Sequence, residues 1–232
     1  NGSGSFAGAN SRFNSFQIDG AVNNDVFGLG ASGKNAISLE AIDALQVVIA
    51  PFDVRQSGFT GGGMNAITKS GTNVFHGSVY DYYHNQDFYG TTAGKDVKVR
   101  KKLDKQYENT VGFTLGGPIV KDKLFFFANY EKTNKTYPNL YTLGAESSAV
   151  DAAKASDVLA KIADLAQRQG VNYPTALSTE DIYTRSDKGG LKLDWNINET
   201  NKATLRWSIV SASQLNNAGS RKALNGSSYA YP

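Results

Sequence analysis

Few residues in this sequence could do chemistry, and their spacing argues against most of it. Gly28-Leu29-Gly30-Ala31-Ser32-Gly33 matches the G-x-G-x-x-G pattern of a dinucleotide site. Such a site needs a buried parallel strand before the glycines and a helix opening on them. The preceding segment, AVNNDVF (21–27), is polar and turn-forming, so the motif reads as a loop. Gly61-Gly62-Gly63 has the flexibility to cradle a phosphate, but no lysine-serine pair follows at Walker spacing. A turn entering a strand is its expected role. His76 and His84 would stand about 27 Å apart along one strand, too far to share a metal. With 2 histidines and 0 cysteines, a three-histidine zinc site, a thiolate metal site and a disulfide are all excluded. No Ser/His/Asp arrangement or carboxylate pair stands out. The expectation is therefore a protein that is not an enzyme and carries no cofactor.

Two clusters remain as binding candidates. Lys95–Lys105 (KDVKVRKKLDK) is a basic run suited to lipopolysaccharide phosphate or an acidic ligand. Short charge runs are more often solvated loop faces. Tyr82, Tyr83, Phe88 and Tyr89 form an aromatic cluster beside it. Aromatic rings at a pore mouth can stack on ligands, and they serve equally as an interfacial girdle or loop packing. These four are the candidate ligand-binding residues.

The elements that must position them are strands. In YENTVGFTLG (107–116), Tyr107, Val111, Phe113 and Leu115 share one face, and Glu108, Thr110, Gly112, Thr114 and Gly116 the other. Strand side chains alternate with period two. An apolar face against a small or polar one is the pattern of a transmembrane barrel strand between lipid and a wet lumen. A short Gly-Pro turn is expected before the next segment, LFFFANYEKT (124–133). The segments 74–83, 189–197 and 202–211 continue the rhythm. Leu191, Leu193, Trp195 and Ile197 alternate with Lys192, Asp194 and Asn196, while Leu205, Trp207 and Ile209 flank Arg206. The connections run long (84–106), short (117–123), long (134–188) and short (198–201). Barrels of the outer membrane alternate longer outer loops with short periplasmic turns in this way.

Composition agrees. The chain has 232 residues and 40% hydrophobic content, with mean hydropathy −0.38. No run approaches the ~18–20 apolar residues of a spanning helix. The 24 glycines, 12 tyrosines and 12 phenylalanines suit a turn-rich, aromatic-belted β protein, and a net charge of +3 gives no nucleic-acid signal. Asp151–Gln169 repeats apolar residues at helical spacing with Gly170 beyond it, so a helix is expected in the second long loop. Upstream, SFQID (15–19) reads as a strand ended by an Asp19-Gly20 turn, Ser38–Ile42 as a serine-capped helical turn, DALQVVIA (43–50) as a β-branched run and MNAITK (64–69) as a strand.

These residues resemble a known family. FQIDGAVNNDVFG, AIDALQVVIAPFDVRQSGFTGGGMNAITKSGTNVFHGSVYDYY and FTLGGPIVKDKLFFFANYE look like a TonB-dependent outer-membrane receptor, most closely the Oar-like branch. The match runs over most of residues 13–133 and weakly on to 211. The resemblance implies a mainly β fold: the C-terminal part of a small α+β plug in residues 1–73, then the first antiparallel strands of a β-barrel from 74 to 232, with one helix in an extracellular loop. Barrels of this class have about 22 strands around a plugged lumen. Five strands cannot close one, because open edges in lipid are not viable. The sequence is therefore expected to be an internal piece of a longer Gram-negative protein. The implied activity is ligand uptake across the cell outer membrane by plug remodelling, with a periplasmic TonB-type energy transducer and outer-membrane lipid as partners. The ligand stays open between peptide, protein, glycan and chelate, and a surface lipoprotein partner is left open. Lys192, Asp194, Asn196 and Arg206 would face the lumen and contact the plug. A surface-displayed β-barrel adhesin or structural outer-membrane protein without transport is the alternative, and a soluble β-sandwich of a secreted enzyme a third reading.

Overall fold

A computed structural model describes residues 14–23, 37–49, 62–91, 102–139, 151–170, 181–216 and 229–231. Two sheets and one α-helix make up most of it, and the protein is mainly β. The chain divides into two compact units. One holds Asn1–Asp81, Val111–Lys132 and Ser186–Ser211, the other Tyr82–Thr110, Thr133–Arg185 and Ala212–Pro232. The G-x-G-x-x-G stretch, Gly61 and most of the basic run lie outside the described residues.

The smaller sheet has strand order β2-β1-β4-β3, with β1 Ser15–Ile18, β2 Ala21–Val22, β3 Ile42–Ile49 and β4 Gly62–Thr68. Asp19 (φ 50°) and Gly20 (φ 81°) join β1 to β2. A two-residue hairpin of this kind needs positive φ at both positions, which Asp and Gly tolerate. β1 lies parallel to β4 from Ser15↔Gly63 to Ile18↔Ala66, and β3 lies antiparallel to β4 with a register shift between Ile42 and Ala44. The expected serine-capped turn is a 3-10 turn at Leu39–Ala41, but the Ser38 side chain does not cap it. Its hydroxyl instead donates to Glu131 on the larger sheet.

The larger sheet is a meander in the order β10-β9-β8-β7-β6-β5. Its strands are β5 His76–Asn85, β6 Tyr107–Val120, β7 Leu124–Tyr137, β8 Ile182–Asn196, β9 Lys202–Asn216 and β10 Tyr229–Tyr231. The period-two reading holds along β6. Tyr107, Val111, Phe113 and Leu115 are exposed, whereas Gly112, Thr114 and Gly116 are buried. Leu205, Trp207 and Ile209 are likewise exposed on β9.

Two expectations change. The Gly-Pro pair does not turn the chain. β6 runs through Gly116-Gly117-Pro118 to Val120, and the turn is Lys121-Asp122-Lys123 with Asp122 at φ 64°. Gly117 is required inside the strand because a Cβ there would lie 2.3 Å from the Phe75 ring. The strands are also longer than the segments read from alternation. β6 and β7 have 14 residues, β8 and β9 have 15. Consequently β7 and β8 take both ends of the span read as loop 134–188, leaving 138–181 between them. In that extension most residues on both faces are polar, so the hydrophobic pattern fades while the strands continue.

Between β7 and β8 lies α1, Ala152–Arg168. Asp151 caps it, its carboxylate accepting from the Ala153 and Lys154 amides at 2.9 and 3.2 Å. Gly170 follows at φ 64°, a left-handed position that ends helices.

Candidate functional site

Few apolar side chains are buried among the described residues: Ile18, Ala41, Ala66, Phe127 and Leu215. The groups that link the two sheets are mostly polar. Strand alternation puts Tyr80 (β5), Glu131 (β7) and Lys188 (β8) on the same face as Gly112 and Thr114 of β6. Gly112 lets Tyr80 lie flat across its neighbour, since a Cβ there would sit 2.3 Å from the Tyr80 hydroxyl oxygen.

The first polar cluster is centred on Glu131. Lys188 Nζ donates to Glu131 Oε1 at 2.8 Å, and the Ser38 hydroxyl donates to Oε2 at 2.7 Å. The Tyr80 hydroxyl donates to Oε2 at 3.1 Å and lies 2.8 Å from Ser38 Oγ. Ser38 is 0% exposed, Glu131 5% and Lys188 7%. A buried carboxylate is tolerable only when its charge and lone pairs are met, and here an ammonium and two hydroxyls meet them. One member, Ser38, comes from the smaller sheet's segment, and the other three come from the larger sheet.

The second cluster is centred on Asp19 at the β1–β2 hairpin. Asp19 Oδ1 accepts from the Thr68 amide at 2.8 Å and Oδ2 from the Thr68 hydroxyl at 2.6 Å. Lys192 Nζ lies 3.8 Å from Oδ1 and donates to the Thr68 carbonyl at 3.2 Å. Arg206 Nε lies 3.4 Å from Oδ2. Beside these side chains is a cavity of about 20 Å³ lined in part by Thr68, Asn129, Lys188, Lys192, Arg206 and Ser208.

The four residues assigned to the lumen therefore separate into two groups. Lys192 and Arg206 converge on the smaller sheet. Asp194 instead accepts from the Thr204 hydroxyl at 2.8 Å, and Asn196 donates to the Asp122 carbonyl at 3.1 Å. Sequence reasoning missed Asp19, Ser38, Tyr80, Glu131 and Lys188 as contact residues. The available signal was Glu131 itself, a charge on the inner phase of an amphipathic strand, which calls for a cation in register.

In the other unit, Tyr82, Tyr83, Phe88 and Tyr89 are all exposed. Tyr83 accepts from Asn85 Nδ2 at 3.3 Å, and the Tyr89 ring meets His84 edge-on at 5.8 Å. Phe88 belongs to a 3-10 turn at Gln86–Phe88, with the Asn85 side chain accepting from the Asp87 amide. Lys102, the described start of the basic run's second half, pairs with Asp87 at 3.6 Å. Glu108 forms a polar node there, contacted by Lys135, by the Tyr137 hydroxyl at 3.4 Å and by His84 at 3.7 Å. Among the described residues no group of three or more His, Cys, Asp or Glu is placed to hold a metal.

A sheet with an exposed aromatic and aliphatic face and a polar, glycine-spaced reverse face has the pattern of an outer-membrane barrel strand set. The comparisons agree. The family model described as an outer membrane beta barrel domain matches residues 67–175. The TonB-dependent transporter Oar of Myxococcus xanthus is 35% identical over 149 residues, covering 61% of this chain and 13% of its own length. A probable TonB-dependent siderophore receptor of Acinetobacter baumannii is 32% identical over 134 residues, covering 56% of this chain and 16% of its own length. The chain thus spans well under a fifth of the curated relatives it matches. Among solved structures, the outer membrane transporter YddB of Escherichia coli matches with TM-score 0.57 at 14% identity, covering 92% of this chain and 27% of that one. The ferric enterobactin receptor of Pseudomonas aeruginosa matches at TM-score 0.50 and 16% identity, covering 89% and 27%. Those two show likeness of fold. The chain is similar in sequence to TonB-dependent outer-membrane receptors over these shares, and the similarities place it in the cell outer membrane. The proteins it resembles are named as transporters and receptors, not as enzymes.

Proposed function

We propose that this chain contains the end of a plug, residues 1–73, and the first strands of the barrel that encloses it, residues 74–232, in a transporter that takes up a ligand by remodelling the plug. One observation carries the reading. The smaller sheet is held to the polar face of the larger one by hydrogen bonds and ion pairs, with Phe127 the main buried apolar side chain of that wall. Apolar burial contributes about 25 cal/mol per Å², so a polar seam binds the plug without a large hydrophobic term. Such a seam can be exchanged for water at modest cost, because water satisfies the same donors and acceptors. The energy would come from a TonB-type transducer in the periplasm, and the cargo would be captured first by the aromatic cluster of Tyr82, Tyr83, Phe88 and Tyr89.

The test uses the full-length receptor in its native host, with Thr68→Cys as a buried reporter. Cells are treated with a small maleimide, and labelling of residue 68 is read by mass spectrometry. Labelling should be several-fold faster in cells with an intact energy transducer than in cells lacking it. Equal rates would remove the transport reading and favour a barrel that only displays its loops.

A further inference from the structure

The pairing of Thr204 with Asp194 across β8 and β9 fixes the register of these strands. Two residues further along each strand, Lys192 and Arg206 face each other. Like charges directly opposite on adjacent strands are destabilising. Such a pair persists when an anion lies over it, and Asp19 supplies one. Yet Asp19 fits the role imperfectly. Its hydrogen bonds go to the Thr68 amide and hydroxyl, at 2.8 and 2.6 Å, within its own sheet. The two cations reach it only at 3.8 and 3.4 Å. Lys192 gives its hydrogen bond to the Thr68 carbonyl, and the contact given for Arg206 among the described residues is the ion pair from Nε to Asp19 Oδ2. Asp194, the next carboxylate along β8, is bonded to Thr204. The adjoining cavity, about 20 Å³, is lined by Lys188, Lys192 and Arg206 with no carboxylate in its wall. That is room for one water-sized group.

We propose that Lys192 and Arg206 form an oxyanion-docking point on the wall, filled at rest by the Asp19 carboxylate and taken over, when the hairpin withdraws, by a carboxylate or phosphate group of the cargo. The inference rests on the transport reading and narrows it to cargo that carries an oxyanion. A guanidinium beside an ammonium suits such a group, since charge-assisted hydrogen bonds to oxyanions are strong and directional.

The test uses the purified full-length receptor in detergent, with citrate as probe and isothermal titration as readout. Asp19→Asn keeps the hairpin's size and removes the resident charge, so it should bind citrate at least tenfold more tightly than the parent. Adding Lys192→Met and Arg206→Met should abolish that gain. Arg206→Lys in the Asp19→Asn background keeps the charge, guards against a folding defect and should retain part of the gain. Equal citrate affinity in Asp19→Asn and in the triple variant would overturn the site, as would no gain over the parent. Binding in detergent needs no transducer. Failure here removes the docking point, whereas equal labelling of residue 68 in cells removes the transport reading.

Discussion

Replacing Lys188 by Met should be among the most damaging single changes in the wall, and a second change should repair it. Lys188 Nζ lies 2.8 Å from Glu131 Oε1, and both residues are less than a tenth exposed. Removing the ammonium leaves Glu131 with the Ser38 and Tyr80 hydroxyls but no countercharge. A buried charge stripped of its partner costs about 3–5 kcal/mol. Glu131→Leu alone strands the ammonium in the same way, at a similar cost. The pair Glu131→Leu with Lys188→Met removes both charges. The Ser38 and Tyr80 oxygens, 2.8 Å apart, can then bond each other, so no buried hydroxyl is orphaned. The double variant should cost less than either single one and approach neutrality, as replaced buried ion pairs often do. Urea titration of the full-length receptor in lipid vesicles, followed by the fluorescence of Trp195 and Trp207, gives the three values. Costs that add in the double variant would refute the reasoning. So would a Lys188→Met cost below about 1 kcal/mol, which is the range of solvated surface pairs.

Three further outcomes follow from other parts of the structure. Gly112→Ala puts a methyl 2.3 Å from the Tyr80 hydroxyl and 2.7 Å from the Tyr130 carbonyl oxygen. It should destabilise by about 1–3 kcal/mol, and Tyr80→Ala should relieve only part of that because the carbonyl cannot move aside; urea midpoints check both. Leu205→Arg on the exposed face of β9 should cost about 2–4 kcal/mol in a bilayer if it lies near the midplane, while Thr204→Arg on the opposite face should cost much less. Equal costs in vesicle unfolding would mean that the Leu205 face meets water. At the β6–β7 turn, Asp122 holds φ 64° and exchanges two hydrogen bonds with Asn73, at 2.6 and 2.8 Å. Asp122→Ala should therefore lose more stability than Asp122→Gly, by about 1 kcal/mol, since glycine occupies the left-handed region without strain; differential unfolding of the two variants decides it.

The exposed apolar side is legible in the sequence because one physical rule governs it. Every second residue from Val111 to Leu115 and from Leu205 to Ile209 is apolar and exposed, and period two follows. The inner side answers to specific partners instead, so its residues carry no repeating signal. Lys188 carries no strand signal because its flanking outer residues, Arg185 and Asp187, are polar, although the strand runs through them. Ser38 has the composition of a helix cap, and only tertiary contact redirects its hydroxyl to Glu131. Asp19 was legible as a turn former from Asp-Gly, but its two cations are 173 and 187 positions away in sequence. Gly117-Pro118 carries turn chemistry, yet the glycine serves to admit the Phe75 ring.

Ser38 brings no charge to its contact. If it leaves, Glu131 and Lys188 still neutralise each other on the wall. Asp19 cannot leave in that way, because it must be pulled from two cations and leaves an excess positive charge behind. The two fastenings should therefore answer differently to ionic strength. Added salt screens partly exposed charges over a Debye length of about 8 Å at physiological concentration. It should ease the release of the hairpin while leaving the grip on Ser38 nearly unchanged, so the seam has a salt-tunable end and a salt-indifferent one.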